Sequence, residues 1–338
     1  MMIKAMNHSD YATAHRLSVA PMLDWTNRDC RYFFRLMSRC SLLYTEMVTT
    51  GALLHGDAQR FLGHDPIEGP LALQLGGSDP QAMAQCALMA QDWGYDEVNI
   101  NVGCPSDRVQ SGRFGACLMA EPNLVAECVA KMQQKVTIPV TVKTRLGIDH
   151  QDSYSFLCQL VDAVSAAGCN TMILHARKAW LSGLSPKENR DIPPLNYQRV
   201  YAIKQAYPHL TISINGGVQS LEQATQHLHY VDGVMMGRAI YQNPYILASV
   251  DSQLFGQVDL GLSRHQVIEM MLPYIDKRMS QGRPLKSITR HLLGLFQGQA
   301  GAKAWRRYLS ERAHIAGSGP EVVEQALALV PDTGAFLQ

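Results

Sequence analysis

The segment Val-Asn-Ile-Asn-Val-Gly-Cys-Pro at residues 98–105 combines an apolar, strand-like run with two amides and a thiol. Asn99 and Asn101 alternate with apolar residues, so in a β-strand both side chains point to one face. A buried amide without partners costs at least about 1–3 kcal/mol, so the two amides belong either to a satisfied core network or to a ligand site. Cys104 follows between a glycine and a proline, which bend the chain at the strand end. A cysteine with an ordinary pKa near 8.5 is mostly protonated at neutral pH and can donate a proton; the alternative is an inert small hydrophobe.

Other apolar runs also end in polar or chemically useful residues. These are Pro21, Met22 and Asp24, Glu46, Gln74, Lys143 and Arg145, His175 and Asn215. A buried lysine is improbable unless an anionic partner is near it, so Lys143 favours a ligand site over a purely structural network.

Two glycine-containing strand ends predict a phosphate site. Asn215 is followed by Gly216 and Gly217, and Gly237 is followed by Arg238. Glycines let backbone amides approach a phosphate, and an arginine adds a charge-assisted contact. A Gly-Gly pair alone is also compatible with a tight turn. Together the two strand ends suit a cofactor with one phosphate, such as FMN, with Lys143 near its pyrimidine edge to stabilise an anionic reduced ring.

These residues need a scaffold that brings many strand ends together. Eight short, β-branched-rich runs lie in the first 240 residues, at 17–22, 42–48, 70–75, 96–102, 139–144, 171–176, 210–216 and 232–237. Helix-like segments separate most of them, including 79–93, 122–135, 152–167 and 195–207. This alternation predicts an α/β fold, a closed (β/α)8 TIM barrel with its active site at the carboxyl ends of the strands. An open doubly wound sheet is the competing architecture, but no G-x-G-x-x-G turn follows the first strand.

The pattern changes to helical periodicity after residue 245. Helices are predicted at 264–279, 284–297, 302–311 and 320–329. We therefore expect a barrel domain over 1–250 and a small all-helical domain over 262–338. From 283 to 312 there are seven basic residues against one acidic residue, although the whole chain has a formal charge of only +1. The excess suggests a nucleic-acid contact in the helical domain.

The composition limits the classes of protein to which the chain can belong. Of the 338 residues, 46% are hydrophobic and 17% are charged, which is typical of a globular protein with a full core. No run approaches the roughly 18 apolar residues of a membrane span, and the first residues lack a secretory signal, so we expect a cytoplasmic protein. The eight cysteines form no C-x-x-C pair or zinc-like cluster, so no metal site is predicted.

Over nearly its whole length the chain resembles the tRNA-dihydrouridine synthases, flavin enzymes that reduce uridine in tRNA. The motifs that carry the resemblance are APMLDWTNRDCR (20–31), ALQLGGSDP (72–80), NINVGCPSDRVQSGRFGACLM (99–119), TVKTRLGID (141–149), LHARKAWLSGLSPKENRDIPPLNY (174–197), INGGV (214–218) and MMGRAIYQNP (235–244). The segment HARKAWLSGLSPKENR looks like the A subfamily, which modifies positions 20 and 20a in the D-loop.

The resemblance implies a role for each matching residue. FMN would be bound by Pro21, Met22, Leu23, Gln74, Lys143, His175, Asn215, Gly216, Gly217, Gly237 and Arg238. Lys187 and Arg190, on the long loop after the sixth strand, look like tRNA contacts of the subfamily, and Asn101 would bind the substrate. NADPH would be the reductant, the flavin would deliver a hydride to C6 of uracil, and Cys104 would donate the proton to C5.

The target base must leave the tRNA stack to reach the flavin, so backbone contacts are needed to hold the RNA. Lys303, Arg306 and Arg307 have i, i+3 and i+4 spacing on one helix face, and Lys286 and Arg290 could extend this stripe. The alternative for this face is a set of solvated surface charges.

Three other functions are compatible with part of the pattern. A Schiff-base aldolase could use Lys143 beside a phosphate site. A flavin oxidoreductase for a free pyrimidine would leave the basic helices without a role. A noncatalytic RNA-binding scaffold would leave Lys143, His175 and Cys104 unexplained.

Overall fold

The computed structural model describes residues 13–106 and 112–332. Eight parallel strands form a closed barrel in which each strand pairs with its neighbours in chain order and β8 returns to β1. The strands are β1 (Leu17–Val19), β2 (Leu42–Thr49), β3 (Leu71–Gly76), β4 (Glu97–Val102), β5 (Val140–Thr144), β6 (Thr171–His175), β7 (Thr211–Asn215) and β8 (Gly233–Met236). The predicted TIM barrel is confirmed, and each predicted apolar run overlaps one strand.

Helices follow the strands because amphipathic segments with defined caps separate the apolar runs. For example, Asp79 accepts a hydrogen bond from the Ala82 backbone N–H, and Pro80 occupies the first helical turn. The helices are α1 (Arg28–Arg35), α2 (Thr50–His55), α3 (Ala58–Leu62), α4 (Pro80–Asp92), α5 (Pro122–Gln133), α6 (Tyr154–Ala166), α7 (Tyr197–Ala206), α8 (Leu221–His227), α9 (Arg238–Gln242), α10 (Val250–Phe255), α11 (Arg264–Ser280), α12 (Leu285–Thr289), α13 (Ala302–Arg312) and α14 (Glu321–Leu327).

Residue contacts divide the chain differently from the boundary predicted at 250–262. Among the described residues, one compact unit contains 13–23, 41–106 and 112–237, and the second contains 24–40 and 238–332. The first unit holds all eight strands. The division into 1–250 and 262–338 therefore stays a prediction, and the contacts move 24–40 and 238–250 into the helical unit.

Specific contacts explain why residues 24–40 belong to the second unit. Asp29 of α1 is buried, and its carboxylate accepts hydrogen bonds from the Tyr274 hydroxyl and from Arg278 and Arg283, each at 2.9 Å. The Asp251 carboxylate likewise accepts from the Ser38 hydroxyl at 2.6 Å. Both carboxylates bind groups far away in sequence, so α1 packs with the C-terminal helices.

The helix predicted over 284–297 is shorter than expected. Helix α12 ends at Thr289, and a series of i to i+3 hydrogen-bonded turns continues from there. Gly294 lies in this segment, where an added methyl group would meet the Gln242 carbonyl oxygen at 2.4 Å. This close approach fixes the turn path in place of a regular helix.

Candidate active site

The Cys104 loop, defined here as residues 103–106, begins where β4 ends. The Cys104 thiol is free and half-buried, and its sulfur lies 3.5 Å from the Ser106 hydroxyl oxygen. The backbone N–H groups of Gly103 and Cys104 both donate to the Asn101 side-chain oxygen, at 3.1 and 2.9 Å. On the other side, the Ala116 N–H donates to the Cys104 carbonyl at 2.9 Å. The backbone around the thiol is therefore held from two directions.

Part of the motif at 99–119 lies outside the described residues, namely 107–111. A short 3-10 helix at Gly115–Ala120 follows them.

The amides of β3 and β4 form a continuous hydrogen-bonded series. The Asn101 amide nitrogen donates to the Gln74 oxygen, the Gln74 nitrogen donates to Asn99, and the Asn99 nitrogen donates to the Thr141 hydroxyl oxygen, each at 2.8 Å. Both asparagines thus have partners inside the barrel, as the core-network alternative requires. Each amide nitrogen carries two N–H groups and uses one of them in this series, so the second N–H can donate to a ligand.

Lys143 lies beside Asn101 in the register between β4 and β5. Its side chain is half-buried, and its amine has no hydrogen-bond or ion-pair partner among residues 13–106 and 112–332. Burial, reinforced by the charge of Arg145 and opposed by Cys104, lowers the pKa of Lys143 to about 7. An amine with this pKa gains a proton readily when an anionic group lies next to it.

Arg145, at the end of β5, braces two loops. Its guanidinium donates to the carbonyl oxygens of Gly103 at 3.2 Å, Lys178 at 3.2 Å and Asn189 at 2.8 Å. Burial, aided by the charges of two neighbouring arginines and opposed by Cys104, lowers the pKa of Arg145 to about 10, which leaves the side chain charged at neutral pH. This side chain therefore connects the Cys104 loop to the loop after β6.

The loop after β6, residues 177–193, is organised around the buried Asn189. Its side-chain oxygen accepts from the Trp180 N–H at 2.7 Å, and its nitrogen donates to the Trp180 carbonyl at 2.9 Å. Lys187 and Arg190 flank Asn189 and are exposed. The Lys178 amine lies over the Trp180 ring, 4.4 Å from its centroid.

The predicted phosphate-binding glycines follow β7. Gly216 and Gly217 have φ angles of 109° and 77°, which strain any other residue. The Tyr197 hydroxyl donates to the Gly216 carbonyl at 2.9 Å and thereby fixes this peptide. Among residues 13–106 and 112–332, no hydrogen bond occupies the backbone N–H of Gly216, Gly217 or Gly237. Free N–H groups at a strand end are the donors that a phosphate needs.

The other predicted cofactor residues surround the same carboxyl end of the barrel. The His175 ring packs on Gly216, where an added methyl group would lie 2.7 Å from Cδ2. The Asn215 side chain donates to the Met235 carbonyl at 2.8 Å. Pro21 and Met22 are half-buried after β1, whereas Leu23 is 66% exposed. Arg238 begins α9 and is counted in the second unit.

Helix α13 of the second unit carries the predicted basic face. Its apolar face buries Ala302, Trp305 and Leu309. Lys303 and Arg307 are exposed, and Arg306 is half-buried. None of these three cations has an ion-pair partner within the described part of the chain.

Two features that support the site were not assigned from the sequence. Arg145 was recognised only as a strand-end residue, because its partners are backbone carbonyls that leave no sequence pattern. Tyr197 was missed because its role depends on the path of the glycine turn; its place at the start of a helix after a barrel strand was the only signal. In the described residues there is no group of three or more His, Cys, Asp or Glu that could hold a metal ion, and no helix there is long and apolar enough to cross a membrane.

Comparisons with known proteins agree with these observations. The family model described as dihydrouridine synthase matches residues 18–330. A tRNA-dihydrouridine(20/20a) synthase of Vibrio cholerae is 63% identical over 317 residues, which is 94% of this chain and 97% of the relative. The enzyme of the same name from Salmonella typhi is 61% identical over 320 residues, which is 94% and 96% of the two chains.

A solved structure of 2-naphthoyl-CoA reductase in complex with 2-naphthoyl-CoA also resembles the chain. The TM-score is 0.56 at 11% identity, and the match covers 72% of this chain and 50% of that one. At this identity the likeness concerns the fold alone.

Proposed function

The chain belongs to the dihydrouridine synthase family, and on that premise we propose that it reduces uridine to 5,6-dihydrouridine at positions 20 and 20a of tRNA. The observation that carries the proposal is the Cys104 loop, whose half-buried thiol is fixed through its backbone beside Lys143 and the barrel amides. A proton donor next to a cofactor-sized set of polar groups suits the reduction of a pyrimidine double bond.

The proposed cofactor is FMN, reduced by NADPH. The backbone N–H groups of Gly216, Gly217 and Gly237, which have no acceptor among the described residues, suit its phosphate, and Arg238 would add a charge. Lys143 and Gln74 offer N–H donors for the polar ring edge, and His175, Asn215, Pro21, Met22 and Leu23 would line the rest of the site. The donor set therefore fits a flavin mononucleotide. When bound, FMN supplies the hydride that reaches C6 of the uracil.

Cys104 completes the reduction by donating its proton to C5. One hydride and one proton add across the double bond. The Cys104 thiol becomes a thiolate in this step, and solvent must reprotonate it before the next turnover. Lys143 lies close enough for its charge to couple to that of Cys104, and a protonated amine there stabilises the thiolate. Asn101 keeps one N–H for the substrate because only one of its two amide N–H groups donates to Gln74. A uracil carbonyl can accept that N–H, whereas the amino group of cytosine cannot.

The tRNA would be held by cations in both units. Lys187 and Arg190 are exposed on the loop that Arg145 connects to Cys104. On α13, Lys303, Arg306 and Arg307 present charge without carboxylate partners in the described residues. These cations would neutralise backbone phosphates while the target base is withdrawn from its loop.

The function is tested by mapping dihydrouridine by mass spectrometry in tRNA from cells that lack this gene. We expect dihydrouridine to disappear from positions 20 and 20a and to return when the wild-type chain is expressed again, but not when Cys104→Ala is expressed. Unchanged dihydrouridine at both positions in the deletion strain would refute the proposal.

A further inference from the structure

The series of barrel amides continues below Asn99 into the barrel interior. The Thr141 hydroxyl, which accepts from Asn99, donates to one carboxylate oxygen of Glu97 at 2.5 Å. The Tyr44 hydroxyl donates to the same oxygen at 2.6 Å, and His15 Nε2 lies 2.9 Å from the other. All five side chains are fully buried.

The Asn101 end of this series sets the direction in which its hydrogen bonds are donated. A backbone N–H can only donate, so the Asn101 atom that faces the Cys104 loop must be its oxygen. The Asn101 nitrogen must then donate to Gln74, the Gln74 nitrogen to Asn99, and the Asn99 nitrogen to the Thr141 oxygen. The Thr141 O–H is left as the last donor, and the series therefore needs an acceptor below it.

The Glu97 carboxylate supplies that acceptor. Burial, together with the charge and hydrogen bond of Glu97, raises the pKa of the Tyr44 phenol well above its ordinary value. Tyr44 accordingly stays protonated and donates to the carboxylate. Two hydroxyl donors on one oxygen of Glu97 hold the lower end of the series in one arrangement.

We propose that Thr141 and Glu97 are positioning residues for Cys104. They act through the buried amides, because they keep the Asn101 oxygen directed at the Gly103 and Cys104 N–H groups. The thiol is then presented for proton transfer in a single geometry. The effect on catalysis rests on the proposed function, whereas the positioning of the Cys104 loop is a property of the protein alone.

The test compares Thr141→Val with Thr141→Ser in the full, flavin-loaded chain. Valine has nearly the shape of threonine but can neither accept nor donate, whereas serine retains the hydroxyl. Three quantities are measured: amide hydrogen exchange in residues 101–106, the single-turnover rate of dihydrouridine formation at saturating tRNA, and the rate of flavin reduction by NADPH.

We expect valine to speed exchange at 103 and 104 and to lower the single-turnover rate by about tenfold, since small misplacements have effects of this size or larger. Flavin reduction should change by less than about twofold, because it does not use the thiol. In Thr141→Ser, the exchange at 103 and 104 and the single-turnover rate should both stay close to the wild-type values. If Thr141→Val does not accumulate as folded protein, Thr141→Ala against Thr141→Ser gives the same comparison, because alanine and serine differ only in the hydroxyl.

Unchanged exchange at 103 and 104 in the valine variant would overturn the proposal. So would faster exchange spread equally over β7 and β8, because this would indicate general destabilisation. If the wild-type chain forms no dihydrouridine, the proposed function fails, while hydrogen exchange still decides whether Thr141 positions the loop.

Discussion

Cys104 is held in place through its backbone. Two N–H groups bind Asn101 on one side of the loop, and the Cys104 carbonyl accepts from Ala116 on the other. Within the described residues, the one hydrogen-bond contact of the sulfur is with the Ser106 hydroxyl, at 3.5 Å. A proton donor must release and regain its proton, and this arrangement fixes the position of the thiol without a strong bond to its hydrogen.

Lys143 should make stability depend on pH in the cofactor-free protein. Its pKa falls from an ordinary 10.5 to about 7 on folding, mainly through burial. The unfolded chain therefore binds more protons between pH 7 and 10.5, and the wild-type protein gains stability as the pH rises through this window.

Replacing the amine tests this dependence. We expect the free energy of unfolding of Lys143→Met to be roughly 1–4 kcal/mol higher than that of the wild type at pH 7. This difference should shrink by pH 10. Urea unfolding at pH 6, 7, 8.5 and 10 measures it, with the exposed Lys135→Met as a control that should show no such trend. A constant difference across these pH values would be inconsistent with a lowered pKa of Lys143.

At the scale of elements, the strand-end loops support one another. Arg145, the residue after β5, donates to backbone carbonyls of both the Cys104 loop and the loop at 177–193. The loop after β5 adds further bonds, with Asp149 N–H donating to the Ala179 carbonyl at 2.8 Å. A cation buried between two loops stabilises them only while its carbonyl partners are in place.

Removing the guanidinium should loosen both loops together. Arg145→Met leaves three carbonyls without their donor, and we expect it to lower the free energy of unfolding by about 1–3 kcal/mol. Limited proteolysis should cleave 177–193 faster than in the wild-type protein. Lys187→Met, an exposed change on the same loop, serves as the control. Wild-type resistance to cleavage in Arg145→Met would show that the loop does not depend on this brace.

The sequence predicts elements better than it predicts their contacts. The strand runs were found because β-branched residues alternate with turns and helices, and His175 and Asn215 were placed correctly at neighbouring strand ends. Helix α1, in contrast, follows the first barrel strand in sequence, and no local pattern shows that Asp29 binds residues about 250 positions away. Likewise, the turns after Thr289 result from the close approach of Gly294 to Gln242, which is a tertiary contact.

At the scale of the whole molecule, a formal charge of +1 conceals a strongly basic segment at 283–312. Asp29 neutralises part of it by pairing with Arg283. The cations of α13 have no such partner in the described residues, so their charge remains available to a polyanion.

Reversing two of these charges should weaken tRNA binding in a salt-dependent way. We expect Lys303→Glu with Arg306→Glu to lower affinity by at least about tenfold near 0.1 M salt, and to reduce the slope of log affinity against log salt by about 1–2. Lys131→Glu with Lys135→Glu, near the amino end of β5, makes the same change in net charge and should have a smaller effect. Equal losses in the two double variants would indicate a nonspecific effect of net charge.

The proposed delivery of a proton by Cys104 to the reduced pyrimidine is tested most directly by a single-turnover experiment with Cys104→Ala, in which the flavin is first reduced by NADPH and tRNA is then added. We predict wild-type flavin content and reduction rate, together with dihydrouridine formation slowed by about 10²-fold or more. Dihydrouridine formed at the wild-type rate by this variant would contradict the account.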